Sequence, residues 1–296
     1  MPTIVPDRRD GARAGVCPSI GPVSFTSVEP DIESRIQALT ATICDIGPVV
    51  VAFSGGVDSA LLAVAARRAL GPDGVLAATA DSASLGEGEL ERCQAFASEW
   101  DIAWTAVHTN ELADDRYVAN NGDRCFWCKT SLMDQLEPVA QGRGAAVTLG
   151  VNLDDLGDHR PGQQAAAERG ARFPLVEAGL TKADIRAVAH HWGLSVWDRP
   201  AMPCLSSRLP YGTPVTVPLL SRIDRGEQAL RQLGFSDVRV RHYDQTAQIE
   251  LPAHELGRAV DQHLAIVTTF EALGYRYVTL DLAGLRSGNL NQALGS

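Results

Sequence analysis

The sequence predicts an α/β protein: a domain built on a parallel sheet over residues 32–200, followed by a smaller α+β domain over 201–296. Three observations carry that expectation. Apolar runs of strand length alternate with stretches of helical period from about Ile32 to Trp197. A glycine-bearing turn, Ser54-Gly55-Gly56-Val57-Asp58-Ser59, joins the first apolar run to a helix. Pro200, Pro203, Pro210, Pro214 and Pro218 crowd one segment that a helix would not survive, which places the domain boundary there.

Taken in order, residues 1–31 are rich in Pro, Arg, Asp and Gly without an apolar h-region, and read as a loose leader rather than a secretory signal. Helices are expected over 32–44, 59–70, 87–100, 126–141 and 182–191, and strands over 48–53, 75–80, 102–107 and 145–150. Strand, helix, strand repetition means a parallel sheet, whose ligands sit at the carboxyl ends of the strands. The Ser54 turn, Asp81-Ser82-Ala83-Ser84 and Val151-Asn152-Leu153-Asp154-Asp155 all fall at such ends. Beyond the prolines come a helix over 219–233, strands over 238–242 and 247–251, a helix over 253–273 and a strand over 277–280.

Bulk composition narrows the partners. No apolar run of the 296 residues approaches the length of a membrane span, so a soluble cytoplasmic protein with no membrane partner is expected. A formal net charge of −10 argues against nucleic acid, which is held by clustered Lys and Arg, but leaves room for a small anion in a local basic pocket. Six cysteines, Cys17, Cys44, Cys93, Cys125, Cys128 and Cys204, are expected as reduced thiols, and the first, second and third have no partner motif.

The Ser54–Ser59 turn is suited to phosphate. Gly55 and Gly56 permit positive φ and close backbone approach, and the helix N-terminus beyond them carries unpaired N–H groups and partial positive charge. Its spacing is neither that of a Walker loop nor that of a dinucleotide fold. Ser54, Asp58 and Ser59 add phosphate and magnesium partners that a plain turn does not need. The six residues resemble the pyrophosphate loop of the ATP pyrophosphatases, the adenine-nucleotide α-hydrolase-like fold, which splits ATP into AMP and pyrophosphate and leaves an adenylated acceptor.

Cys125 and Cys128 lie three apart at a helix start, where the dipole, Arg124 and Lys129 would lower their pKa values. Alone, the pair fits a redox dithiol, half a zinc site, an iron–sulfur ligand pair or two core cysteines equally. Cys204 sits apart, in the Pro-flanked loop Met202-Pro203-Cys204-Leu205-Ser206-Ser207-Arg208. Together with the pyrophosphate loop, these stretches resemble the LarE family, ATP-dependent sacrificial sulfur transferases of nickel-pincer nucleotide synthesis. The likeness continues through 150–162 and 277–288 and covers nearly everything after residue 31.

The resemblance implies that ATP with Mg²⁺ adenylates a carboxylate of pyridinium-3,5-dicarboxylate mononucleotide, a nicotinate-derived small molecule, and that sulfur displaces AMP to give a thiocarboxylate. In its single-cysteine branch the residue matching Cys204 gives up its own sulfur. In its three-cysteine branch Cys125, Cys128 and Cys204 would ligate a [4Fe–4S] cluster whose open iron takes sulfide from a donor. A homo-oligomer, trimer or hexamer, is also implied. ATP is expected at Ser54, Gly55, Gly56, Asp58, Ser59, Asp81, Ser82, Gly150, Asn152 and Asp155, with Asp58 catalytic.

Asp154, Asp155 and Asp158 also suit helix capping, and both roles are expected. Arg239 and Arg241 alternate along a strand, face one side and suit a phosphate clamp, with Arg208 beside the reacting carboxylate. Glu227 is expected near them, at a metal or in water, and Trp127 either stacks on a ligand ring or packs. Transfer RNA thiolation, amide synthesis and simple nucleotide binding are the competing readings. The acidic net charge disfavours the first, the three cysteines are left unexplained by the second, and the loop's polar residues weigh against the third.

Overall fold

Strand β1 (Val49–Ala52) shows how this sequence makes a covered parallel sheet. Val49 and Val51 pack on one face and Val50 on the other, all buried, as a strand with a helical layer on each side requires. The computed structural model describes residues 32–157, 161–200 and 202–286. The leader expected over 1–31, and Asp158, lie outside these residues.

The first half runs α1 (Ile32–Ile46), β1, α2 (Val57–Leu70), β2 (Val75–Asp81), α3 (Glu89–Glu99), β3 (Ala103–His108), α4 (Asp115–Val118), α5 (Arg124–Arg143) and β4 (Ala146–Leu149). It continues through α6 (Pro161–Glu168), α7 (Pro174–Glu177) and α8 (Lys182–His191). The four strands are all parallel, in the order β3-β2-β1-β4. Helices α1, α2, α3 and α8 cover one face of the sheet and α5 and α6 the other. Strand order reverses at β1, so the crevice beyond the ends of β1 and β4 is where a ligand is expected.

The second half contains α9 (Val217–Gln232), β5 (Arg239–Tyr243), β6 (Thr246–Glu250), α10 (Leu256–Asp261), α11 (His263–Ala272) and β7 (Tyr277–Leu280). Its three-stranded sheet has the order β5-β6-β7, antiparallel then parallel. Its core, built on Leu220, Ile223, Val240 and Phe270, also takes in Tyr117, Leu205 and Leu209. The segment that carries Cys204 is thus rooted in this second core.

The elements differ from expectation in three respects. The helix expected from 126 begins at Arg124, so both cysteines of the pair lie in its first turns. The long helix expected over 253–273 is divided at Gln262, where His263 Nδ1 bonds the Val260 carbonyl at 2.8 Å and so diverts a helical acceptor. Short α4, α6 and α7 were not foreseen.

Candidate functional site

Residues 54–59 run from the end of β1 into the first turn of α2 in the geometry an anion needs. Gly55 has φ +72°, and a Cβ there would meet Cys93 Sγ at 2.9 Å, so glycine is required twice over. Gly56 opens α2 with no side-chain cap, leaving the first-turn amides to a ligand. Ser59 Oγ holds the loop closed, accepting from Ser54 N at 3.2 Å and donating to the Gly56 carbonyl at 3.1 Å.

The end of β4 closes on this loop. A Cβ at Gly150 would lie 2.7 Å from Ser59 N, so only glycine lets the two segments approach. Asn152, buried, donates from Nδ2 to Asp58 Oδ1 at 3.0 Å. The other oxygen of Asp58 is held by Lys182 Nζ, the first residue of α8. Lys182 N donates to Asp154 Oδ2 at 2.7 Å and Asn152 N to Asp155 Oδ2 at 3.2 Å, so both acidic residues serve as turn and helix-start acceptors. Asp81, exposed, ends β2, and Ser82 Oγ accepts from Ser84 N at 3.1 Å.

The Cys204 segment bridges that half of the protein to the second sheet. Leu205 N donates to the Ser84 carbonyl at 2.9 Å, and Arg124 Nη1 donates to the Ser206 carbonyl at 2.9 Å. From the other side Arg241 Nη1 donates to the Ser207 carbonyl at 2.7 Å and Arg208 Nη1 to the Pro203 carbonyl at 2.6 Å. Arg208 also forms a buried pair with Glu227, Nε to Oε1 at 2.7 Å. Arg241 pairs likewise with Glu250 at 3.0 Å. Arg239 donates to the Arg286 carbonyl at 2.7 Å, and burial with the nearby charges of Arg208 and Arg241 pulls its pKa below the usual range.

Glu227 does not stand in water: it is buried and accepts from Arg208, from Arg231 at 3.1 Å and from Val240 N at 3.2 Å. Trp127 has one ring face against Arg116, whose Cζ lies 3.6 Å from the ring centroid, and its Nε1 donates to Asp123.

Cys204 and Cys125 are exposed and Cys128 half-buried. The expected low pKa of the helical pair is reversed. Burial, then the charge of Cys204, pushes the Cys128 thiol up to about 12; Cys125 keeps an exposed surface, yet the protein packed around it desolvates its thiol and, with the charge of Cys204, raises it against the weaker pull of Arg124 and Lys129. Glu111, buried and with Oε1 unpartnered among the described residues, adds to the rise at Cys128. Desolvation has overruled the helix dipole.

The NAD synthase family model matches residues 32–119, the stretch that contains the phosphate loop. An uncharacterized protein of Synechocystis sp. is 46% identical over 266 residues, spanning 89% of this chain and 99% of its own length. The pyridinium-3,5-bisthiocarboxylic acid mononucleotide synthase of Lactiplantibacillus plantarum is 38% identical over 264 residues, 89% of this chain and 96% of that protein. The chain belongs to the LarE family. An uncharacterized protein of Methanocaldococcus jannaschii is 25% identical over 240 residues, 81% of this chain and 91% of that protein.

For this family member the question is what the three thiols can hold. Among the described residues no group of three or more His, Cys, Asp or Glu is placed to hold a metal ion. Cys125 and Cys128 share the first turns of α5, and the charge of Cys204 acts on both. No helix of the described residues is long and apolar enough to cross a membrane.

Lys182, which holds Asp58, is not among the residues that the sequence singles out. Its signal was present: a cation at the first residue of a helix stands against the dipole, inside the capping box that Thr181 forms with Asp184.

Proposed function

We propose that this protein makes pyridinium-3,5-bisthiocarboxylic acid mononucleotide from the corresponding dicarboxylate, using ATP. A carboxylate oxygen attacks the α-phosphorus and pyrophosphate leaves; sulfur then attacks the acyl carbon and AMP departs with the oxygen. The observation that carries this reading is the placement of Cys204 between the loop that follows β2 and the arginine cluster of the second sheet.

In this reading Ser54, Gly55, Gly56 and Ser59 hold the phosphates with the α2 N-terminus, and Gly150, Asn152, Asp81 and Ser82 line the adenosine side. Asp58 and Asp155 are the carboxylates for Mg²⁺, Asp58 becoming available once Lys182 turns to a phosphate. Arg239, Arg241 and Arg208 take the substrate's anionic groups, with Glu227 and Trp127 supporting them. An anion there relieves the desolvation and like-charge crowding of Arg239, and at Arg208 and Arg241 the substrate competes with Glu227 and Glu250.

Cys125, Cys128 and Cys204 are the residues that would hold a [4Fe–4S] cluster, which when bound supplies sulfide from its open iron. The other source is the Cys204 sulfur itself. Residues 32–200 would act as the activating unit and 201–296 as the substrate unit of a cytoplasmic homo-oligomer.

Anaerobic protein incubated with ATP, Mg²⁺, sulfide and the dicarboxylate mononucleotide is expected to release pyrophosphate and AMP and to form thiocarboxylate. Pyrophosphate release without thiocarboxylate, or with amide formed from ammonia, would overturn the reading. About four irons per chain with matching acid-labile sulfide support the cluster. Iron-free protein that loses one H₂S at Cys204 per turnover assigns the sulfur to that residue instead.

A further inference from the structure

Three hydroxyls meet in the seam between the two halves of the molecule. Tyr117 Oη lies 2.6 Å from Ser84 Oγ and 2.6 Å from Ser206 Oγ, and the two serine oxygens are 2.8 Å apart. All three residues are at most 2% exposed. Each hydroxyl has one proton to donate and lone pairs to accept, so a closed triangle satisfies all three donors, and each bond polarises the next.

The three residues come from elements with different tasks. Ser84 belongs to the loop after β2, where its own N–H is bonded to Ser82; Tyr117 belongs to α4; Ser206 follows Cys204 by two residues. Leu205 N, donating to the Ser84 carbonyl, and Arg124, donating to the Ser206 carbonyl, fix the same stretch of backbone. Cys204 itself stays exposed at the end of this anchored arm. A phenylalanine would fill the Tyr117 site in the core as well as tyrosine does, so packing leaves the hydroxyl unexplained.

We infer that Tyr117 is a positioning residue: through the ring with Ser84 and Ser206 it holds Cys204 in register with the nucleotide loop after β2. The register matters because a sulfur that must reach an acyl-adenylate gains rate only when its approach is held near the productive geometry. The inference rests on the sulfur-transfer reading for the reaction that is positioned, but not for the mechanical claim that the ring restrains Cys204.

The test uses the full chain as Tyr117→Phe and, from the other side of the ring, Ser206→Ala. One arm measures alkylation of Cys204 by iodoacetamide, resolved by peptide mass, and needs no assumption about substrate. A rise of about fivefold or more is expected in both variants as the loop opens more often. The second arm compares pyrophosphate release with thiocarboxylate formation. Release is expected to stay within about twofold of wild type while thiocarboxylate falls about tenfold or more, a barrier change of about 1.4 kcal/mol.

Unchanged Cys204 alkylation in both variants would overturn the inference. So would equal losses in the two product readouts, which would mark the ring as general scaffolding. If wild type releases pyrophosphate but forms no thiocarboxylate, the functional reading fails and the alkylation arm decides the restraint by itself.

Discussion

Asp58 is held by two donors from distant parts of the chain, Asn152 and Lys182, the latter 124 residues away. In the phosphate loop the lysine offsets a carboxylate that would otherwise repel an incoming polyanion. Lys182→Ala removes that cation and leaves Asp58 with Asn152 as its named partner. Pyrophosphate release is expected to fall about a hundredfold or more, the scale of losing one electrostatic stabiliser in an active site. Thermal stability should change little, because the lysine is partly exposed. Release within twofold of wild type would remove Lys182 from the site. Legibility at this scale followed locality. Ser54–Ser59 and the Cys125/Cys128 pair show their chemistry within a few residues, whereas the Lys182–Asp58 and Arg208–Glu227 pairs exist only after folding. The error at Cys128 has the same root: the favourable charges are adjacent in sequence, but the burial that outweighs them is tertiary.

Helix α8 shows how an element positions such a residue. Thr181 Oγ1 accepts from Asp184 N at 3.2 Å and Asp184 Oδ2 accepts from Thr181 N at 2.9 Å, closing a reciprocal cap beside Lys182. Burial alone would raise the Asp184 carboxyl, but hydrogen bonds from Thr181 and the charge of Arg35 bring it below the usual carboxylate range. A depressed acid contributes stability above its unfolded pKa and loses it as pH falls through the folded value. Asp184→Asn is expected to cost about 1 to 2 kcal/mol near pH 7. In urea melts the gap from wild type should close as pH drops below about 4, where the unfolded carboxylate takes up its proton. A gap that stays constant with pH would contradict the ionic part of the cap. Elements of this length, with both a cap and an apolar period, were readable in sequence, and α8 has the expected bounds. Helices α4, α6 and α7, of four to eight residues, hold too little period to stand out from turns.

The whole molecule is joined by a clamp on the chain that follows Cys204. Asn120, fully buried at φ +54°, donates from Nδ2 to the carbonyls of Pro210 at 2.8 Å and Thr213 at 2.9 Å, and its Oδ1 accepts from Arg124. Val215 N adds a bond to the Val118 carbonyl at 2.9 Å, and Gly212 N one to the Asn120 carbonyl at 3.0 Å. One turn in the first half thus captures the segment leading into the second, and the core of the second half includes Tyr117 from the first. The two sheets should therefore unfold together, as a single calorimetric transition whose van't Hoff and calorimetric enthalpies agree. Asn120→Ala severs the side-chain bonds, takes a donor from the half-buried Thr213 carbonyl while Pro210 O keeps Thr213 N at 3.1 Å, and leaves Arg124 short of an acceptor, for an expected loss of about 2 to 3 kcal/mol. It also forces alanine into the left-handed region, at a further cost of about 1 kcal/mol, which Asn120→Gly escapes. The glycine variant should accordingly be the more stable of the two, with both showing a broadened or divided transition. Two resolved transitions in the wild-type protein, or an alanine variant within about 0.5 kcal/mol of it, would mean that the halves are tethered rather than clamped.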